Sequence, residues 1–170
     1  MARLIAGFII SMATLTLTSV VLFTGNSPPW PEPTSFQLLV LSVLLQAYTA
    51  LLAPLSTGFG GGGEGLMCLA IWAAASALAG LTAGKLSASI KLALLIPSFT
   101  ILLWLGLTGV VFSEVYAPQF WLVKLNAFIE NLVLPHPFNL VMLYLVVLVF
   151  SGTFGFLSST LLTRKETVVV

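Results

Sequence analysis

Residues 138–162 read FNLVMLYLVVLVFSGTFGFLSSTLL, twenty-five positions without one charged side chain. About 20 largely apolar residues, wound as a helix, cross the roughly 30 Å hydrocarbon layer of a bilayer. A charge near the middle of such a helix costs about 2.5–3.5 kcal/mol on insertion scales, so its absence is what a spanning segment requires. Working back toward the N-terminus, residues 4–23, 36–55, 66–84 and 90–112 have the same character. Lys91, at the edge of the fourth, is the one charged residue within these limits. The pattern predicts an all-α integral membrane protein: a single membrane domain over residues 1–170, built as a bundle of about five transmembrane helices.

Composition leads to the same place. The chain is 59% hydrophobic and only 6% charged, whereas an ordinary soluble domain carries about 25% charged residues. Mean hydropathy is +1.13. A surface with so little charge aggregates in water but suits lipid, so the first expected partner is the bilayer itself. A net charge of +1 gives no electrostatic footprint for nucleic acid. The six basic residues are spread along the chain and form no polybasic run in the sequence. Arg3 precedes the first apolar run as it would in a secretory signal. That run is longer than the roughly 7–15 residues of a signal core and has no A-x-A-like cleavage site, so it reads as a retained span.

The connections carry turn chemistry. Residues 25–33 hold four prolines, which fix φ and remove donors, and Trp30 beside them suits the headgroup level. Residues 54–65 hold six glycines and read as a flexible loop. Residues 85–91 read as a short polar turn. Residues 119–134 differ from all of these. At 100° per residue Trp121, Leu125, Phe128, Ile129 and Leu132 share one face, while Gln119, Asn126 and Glu130 share another with Lys124 and Asn131 beside it. Pro118, Pro135 and Pro137 bracket the segment. This is the pattern of an amphipathic interfacial helix. The alternative is a sixth transmembrane helix, which would hold Lys124 and Glu130 at depth. Five crossings place Lys85, Lys91, Arg164 and Lys165 on one side and Arg3 and Lys124 on the other. The positive-inside rule then prefers the N-terminus outside and the C-terminus inside.

Small and weakly polar residues form stripes at helical spacing. Gly7, Ser11, Thr14 and Thr18 run along the first span, and Ser42, Gln46, Thr49 and Ala53 along the second. Ser76, Gly80, Ala83 and Ser87 repeat the spacing on the third, where Ser76, Gly80 and Gly84 also form a small-xxx-small row. Ser151, Gly155 and Ser159 do so on the fifth. Small residues let helices approach closely in lipid, and hydroxyls bond across the contact. The stripes are therefore expected to pack helices, in this chain or against a partner. The competing reading, a polar pathway, would use the same residues. Gln46, the most polar side chain in any span, is expected to join two helices rather than bind a substrate. The run from Gly58 to Gly63 matches G-x-G-x-x-G by letter, but it lacks the strand and βαβ unit that give that motif its meaning.

Catalytic chemistry is thin. There is no Asp, a single Cys68 and a single His136. One His and one Cys do not make a zinc or haem site, and no spacing among Glu64, Glu114, Glu130 and His136 suggests a carboxylate pair or a triad. The sequence predicts no cofactor, no metal and no enzyme activity. The expected function is that of a non-catalytic integral membrane subunit, a helix-packing component beside other membrane subunits or a second copy of itself. The alternative is a small transporter, channel or substrate-binding membrane component.

Overall fold

The computed structural model describes residues 1–23, 30–31, 35–58, 63–133 and 135–166. Seven helices account for them: α1 (Ala2–Phe23), α2 (Phe36–Leu52), α3 (Pro54–Thr57), α4 (Gly63–Ala83), α5 (Leu86–Val115), α6 (Trp121–Val133) and α7 (Pro137–Glu166). No strand occurs among the described residues. Five stretches are long and apolar enough to cross a membrane: Ala2–Phe23, Phe36–Thr57, Gly63–Ala83, Leu86–Val115 and Pro137–Leu161. The 13 residues of α6 reach only about 20 Å at 1.5 Å per residue, short of the hydrocarbon thickness.

Local chemistry sets the helix ends. Ser35 caps α2, its hydroxyl accepting from the Leu38 amide at 3.2 Å. Pro54 lacks the amide that α2 needs to continue and opens α3 instead. Gly84 takes φ +64° directly after α4, a left-handed stop that glycine adopts without a Cβ penalty. Pro137 stands at the start of α7, where its missing N–H is no loss. Several expected boundaries move. The polar turn foreseen at 85–91 shrinks to Gly84 and Lys85, because α5 already begins at Leu86. The glycine-rich loop also contracts, since Pro54–Thr57 and the stretch from Gly63 are helical. Its positions 59–62 lie outside the described residues, as does most of the proline-rich linker.

The chain forms two compact units. The first comprises Met1–Leu15, Leu69–Phe99 and the described part of α7 from Val141. It is a four-helix assembly whose directions follow from its contacts. Ser11 lies against Ala75 and Gly7 against Ala79, so α1 and α4 run antiparallel. Ser98 meets Tyr144 and Ser89 meets Ser151, so α5 and α7 also run antiparallel. Gly7 faces Leu92 and Phe8 faces Phe99, which makes α1 and α5 parallel. The start of α1, the α4–α5 turn and the C-terminal part of α7 thus share one end of this unit. Trp72, Ala75, Ala79, Leu92, Ala93, Ile96, Leu143 and Val147 form its core.

The second unit comprises Thr16–Cys68 and Thr100–Leu140. It contains α2, α3 and α6 whole, together with the second half of α1, the start of α4, the second half of α5 and the first turn of α7. Its buried residues include Leu38, Leu45, Tyr48, Leu51, Leu55 and Trp104. Polar bonds cross between its helices. Thr16 and Tyr48 pair through their hydroxyls at 2.6 Å, and the Trp104 indole donates to Thr49 Oγ1 at 3.0 Å. Asn139 Nδ2 donates to the Leu55 carbonyl at 3.0 Å, and Cys68 Sγ to the Ala50 carbonyl at 3.3 Å. α3 packs on α6.

Candidate functional site

The tightest place in the first unit is a seam of small residues. A Cβ built on Gly80 would fall 2.9 Å from the Gly155 nitrogen and closer still to the Ser151 carbonyl oxygen. One built on Gly155 would run into the Ser89 hydroxyl. Backbone therefore approaches backbone, which only glycine permits. Hydroxyls tie the same seam: Ser151 Oγ donates to the Ser89 carbonyl at 3.0 Å, and Ser158 Oγ to the Leu81 carbonyl at 3.0 Å. Ser11 Oγ donates to the Ala75 carbonyl at 2.9 Å, while a Cβ on Gly7 would stand 2.9 Å from Leu92 Cδ1. Bonds from a hydroxyl to a neighbouring helix carbonyl satisfy the hydroxyl inside an apolar contact and tie the two helices together.

The other candidate stripe residues have different roles. Ser76 bonds back to the Trp72 carbonyl of its own helix, and Ser159 to that of Phe156 at 2.8 Å. Such back-bonding satisfies a hydroxyl without joining helices. Gly84 acts through its left-handed conformation, and Ser87 is exposed beyond the end of α4. In the second unit, half-buried Gln46 sends Nε2 toward the Phe23 carbonyl at 3.4 Å, joining α2 to the end of α1. Ser42 accepts the Trp30 indole N–H at 2.7 Å. Trp30 is only 5% exposed, so protein groups enclose its ring.

Trp30 belongs to an aromatic cradle. Its ring centroid lies 6.1 Å from Phe128, nearly edge-on, and 6.3 Å from Phe112. Phe128 also stands 5.8 Å from Trp104 and 5.2 Å from Phe112, and Phe112 stands 5.2 Å from Tyr116. The apolar face expected on α6 is the one turned toward the protein: Leu132 is buried, and Trp121, Leu125, Phe128 and Ile129 are half-buried. Lys124, Asn126, Glu130 and Asn131 are exposed. A face drawn as resting on lipid thus finds partners within the chain, although Leu122 and Val123 remain open at 53% and 65% exposed. A recess of about 210 Å³ lies between Trp30, Phe112, Phe128, Lys124 and Asn131.

Trp30→Phe should keep most of the ring packing and lose the bond to Ser42, a loss of about 1 kcal/mol. Trp30→Ala should cost about 3–5 kcal/mol, as large aromatic truncations in cores do. Unfolding titrations in detergent check both. Equal stabilities for wild type and Trp30→Ala would remove the cradle's structural importance.

Sequence reasoning missed Ser89, Ser158 and Tyr144 in the first unit and, in the second, Trp104, whose indole bonds to the stripe residue Thr49. Ser89 carried a visible signal, since it sits among small residues just after Gly84. Among the described residues no group of three or more His, Cys, Asp or Glu could hold a metal ion. Nor does any buried side-chain nitrogen or oxygen among them lack a hydrogen-bond partner. The chemistry on view is helix association. No family model matches the chain, no curated protein matches it, and no solved structure matches its fold.

Proposed function

We infer that the chain is a non-catalytic, multi-pass membrane protein that serves as a helix-packing component of a larger membrane assembly. The observation that carries this is the use made of its small and hydroxyl residues. Ser11, Ser151 and Ser158 bond to carbonyls of neighbouring helices, and Gly80 and Gly155 bring backbones into contact. Part of the set that would line a polar pathway is thereby engaged in joining helices, while Ser76 and Ser159 bond within their own helices. The outer faces of α1 and α7, each with only 22% of its apolar window buried, offer the surface for lipid or partner subunits. Extraction of the tagged chain from its native membrane in a mild detergent tests the assembly. Stable co-purifying membrane subunits, or a defined homo-oligomer, are expected. A lone monomer carrying bound solute would favour transport instead, for which the recess beside Lys124 and Asn131 is the specific argument.

The topology proposed with this function has four crossings rather than five. α1 and α4 each contribute residues to both units. All chain between them, α2 and α3 included, belongs to the second unit. Because α1 and α4 run antiparallel within the first unit, an even number of crossings separates Arg3 from Lys85, and in this topology α2–α3, although long enough to span, makes no net crossing. Arg3, Lys85, Lys91, Arg164 and Lys165 then lie on one side and Lys124 alone on the other. The positive-inside rule puts both termini in the cytosol, in place of the N-out, C-in arrangement that five crossings favour.

A further inference from the structure

At the end of the first unit where α1 begins and α4 gives way to α5, a cavity of about 560 Å³ opens to the outside. Arg3 reaches it from the first turn of α1, Lys85 from the α4–α5 turn and Lys91 from the second turn of α5. All three are exposed, and none of the residues lining the cavity is acidic. Met1, Leu4 and Ala88 supply apolar wall between them. The sequence scatters these cations over 88 positions, and the fold gathers them: Gly84, at φ +64°, makes the reversal that sets Lys85 beside the start of α1. α1 and α5 begin here and α4 ends here at Ala83, so the carbonyl end of one helix offsets part of the positive field from the other two, and the side-chain cations dominate. Three like charges around one cavity repel one another, and an anion between them relieves that repulsion.

We propose that this cavity binds a phosphate ester, with the phosphate held among Arg3, Lys85 and Lys91 and its organic portion against Leu4 and Ala88. Arginine supplies a planar fork to two oxygens and the lysines supply point charges. Basic pockets between apolar helices at the positive membrane face suit anionic lipid headgroups in this way. The same chemistry fits a soluble phosphate monoester. The lipid source rests on the membrane reading above, whereas the phosphate site does not.

The test uses the whole chain, purified in a neutral detergent and delipidated. Native mass spectrometry follows retention of dioleoylphosphatidylglycerol against dioleoylphosphatidylcholine at equal excess, and equilibrium dialysis follows glycerol 3-phosphate. The expected result is one phosphatidylglycerol held at least about tenfold more strongly than phosphatidylcholine, with a loss of about fivefold for each charge removed in Lys85→Gln and Lys91→Gln. Lys124→Gln should leave that preference intact. Stoichiometric glycerol 3-phosphate without preference for phosphatidylglycerol would support the site and assign it a soluble ligand. Neither ligand bound, or a preference that survives the triple variant Arg3→Gln/Lys85→Gln/Lys91→Gln with helicity unchanged by circular dichroism, would overturn the proposal. An alkaline carbonate wash separates the two ideas. Release of the chain from membranes would sink the membrane reading and leave the glycerol 3-phosphate result standing.

Discussion

Gly80→Ala should lower the stability of the folded chain by about 2–3 kcal/mol, the upper part of the range for overpacking a dense core. The added methyl would press on the Ser151 carbonyl oxygen and on the Gly155 nitrogen, 2.9 Å away. Both are backbone atoms with no flexible end to swing aside, so the helices themselves must separate. Separation of α4 from α7 would also stretch the bond from Ser158 Oγ to the Leu81 carbonyl, now 3.0 Å. Gly155→Ala should do similar harm, because its methyl meets the Ser89 side chain, whose hydroxyl is held to the Lys85 carbonyl at 3.0 Å. Gly152 supplies the control: it lies in α7, yet a Cβ there meets nothing within 4 Å. Gly152→Ala should be neutral or stabilising by up to about 1 kcal/mol, since alanine favours a helix. Reversible unfolding in mixed micelles, read by tryptophan fluorescence, measures all three. A Gly80→Ala protein as stable as wild type, or a Gly152→Ala protein as damaged as Gly80→Ala, would show that close backbone approach is not what holds this seam.

The contrast between Gly80 and Gly152 also marks how far sequence reasoning reached. Spacing alone singled out Gly80, Ser151 and Gly155, because lipid-facing chains need small residues wherever helices meet. It did not reveal that Ser151 and Gly155 face Gly80, since which stripe meets which depends on helix order in space. The long apolar runs were legible from missing charge, a local property. How many of these runs cross was not: residues 36–55 are apolar and long enough to do so, and hydropathy does not record where the chain goes next. Trp30 shows a third limit. Prolines on both sides suggested a linker with the indole at the headgroup level, and of the groups that enclose it Ser42 is 12 residues away while Phe112 and Phe128 come from far along the chain. The sidedness of α6 was plain from its periodicity, but the identity of the surface it covers was not, because an apolar face fits a neighbouring helix as well as lipid. The basic cavity was equally hidden, as Arg3 and Lys85 are neighbours only once α1 and α4 lie antiparallel.

Single cysteines at 37, 63, 87 and 119 in a Cys68→Ala background should label in an all-or-none pattern that decides the number of crossings. Gln37, Gly63, Ser87 and Gln119 are all exposed, so each replacement leaves packing alone. Cys68 is buried, and its thiol makes one weak bond to Ala50, so its removal is mild. With no net crossing by α2–α3, positions 37, 63 and 119 react with a membrane-impermeant maleimide from one side, and position 87 reacts only from the other. Five alternating crossings would instead pair 37 with 87 and set both against 63 and 119. Position 63 against position 37 is therefore the deciding comparison, and position 87 fixes the polarity. The physical reason to expect the first pattern is continuity. Antiparallel contacts of Ser11 with Ala75 and Gly7 with Ala79 bring the start of α1 and the end of α4 together. A segment that crossed between them would have to deliver the start of α4 to the end it instead leaves last. In inverted vesicles position 87 should be the reactive one, because five of the six basic residues accompany it there. Opposite labelling of 37 and 63 would restore five crossings, return Arg3 to the side away from Lys85, and remove the basic cavity with it.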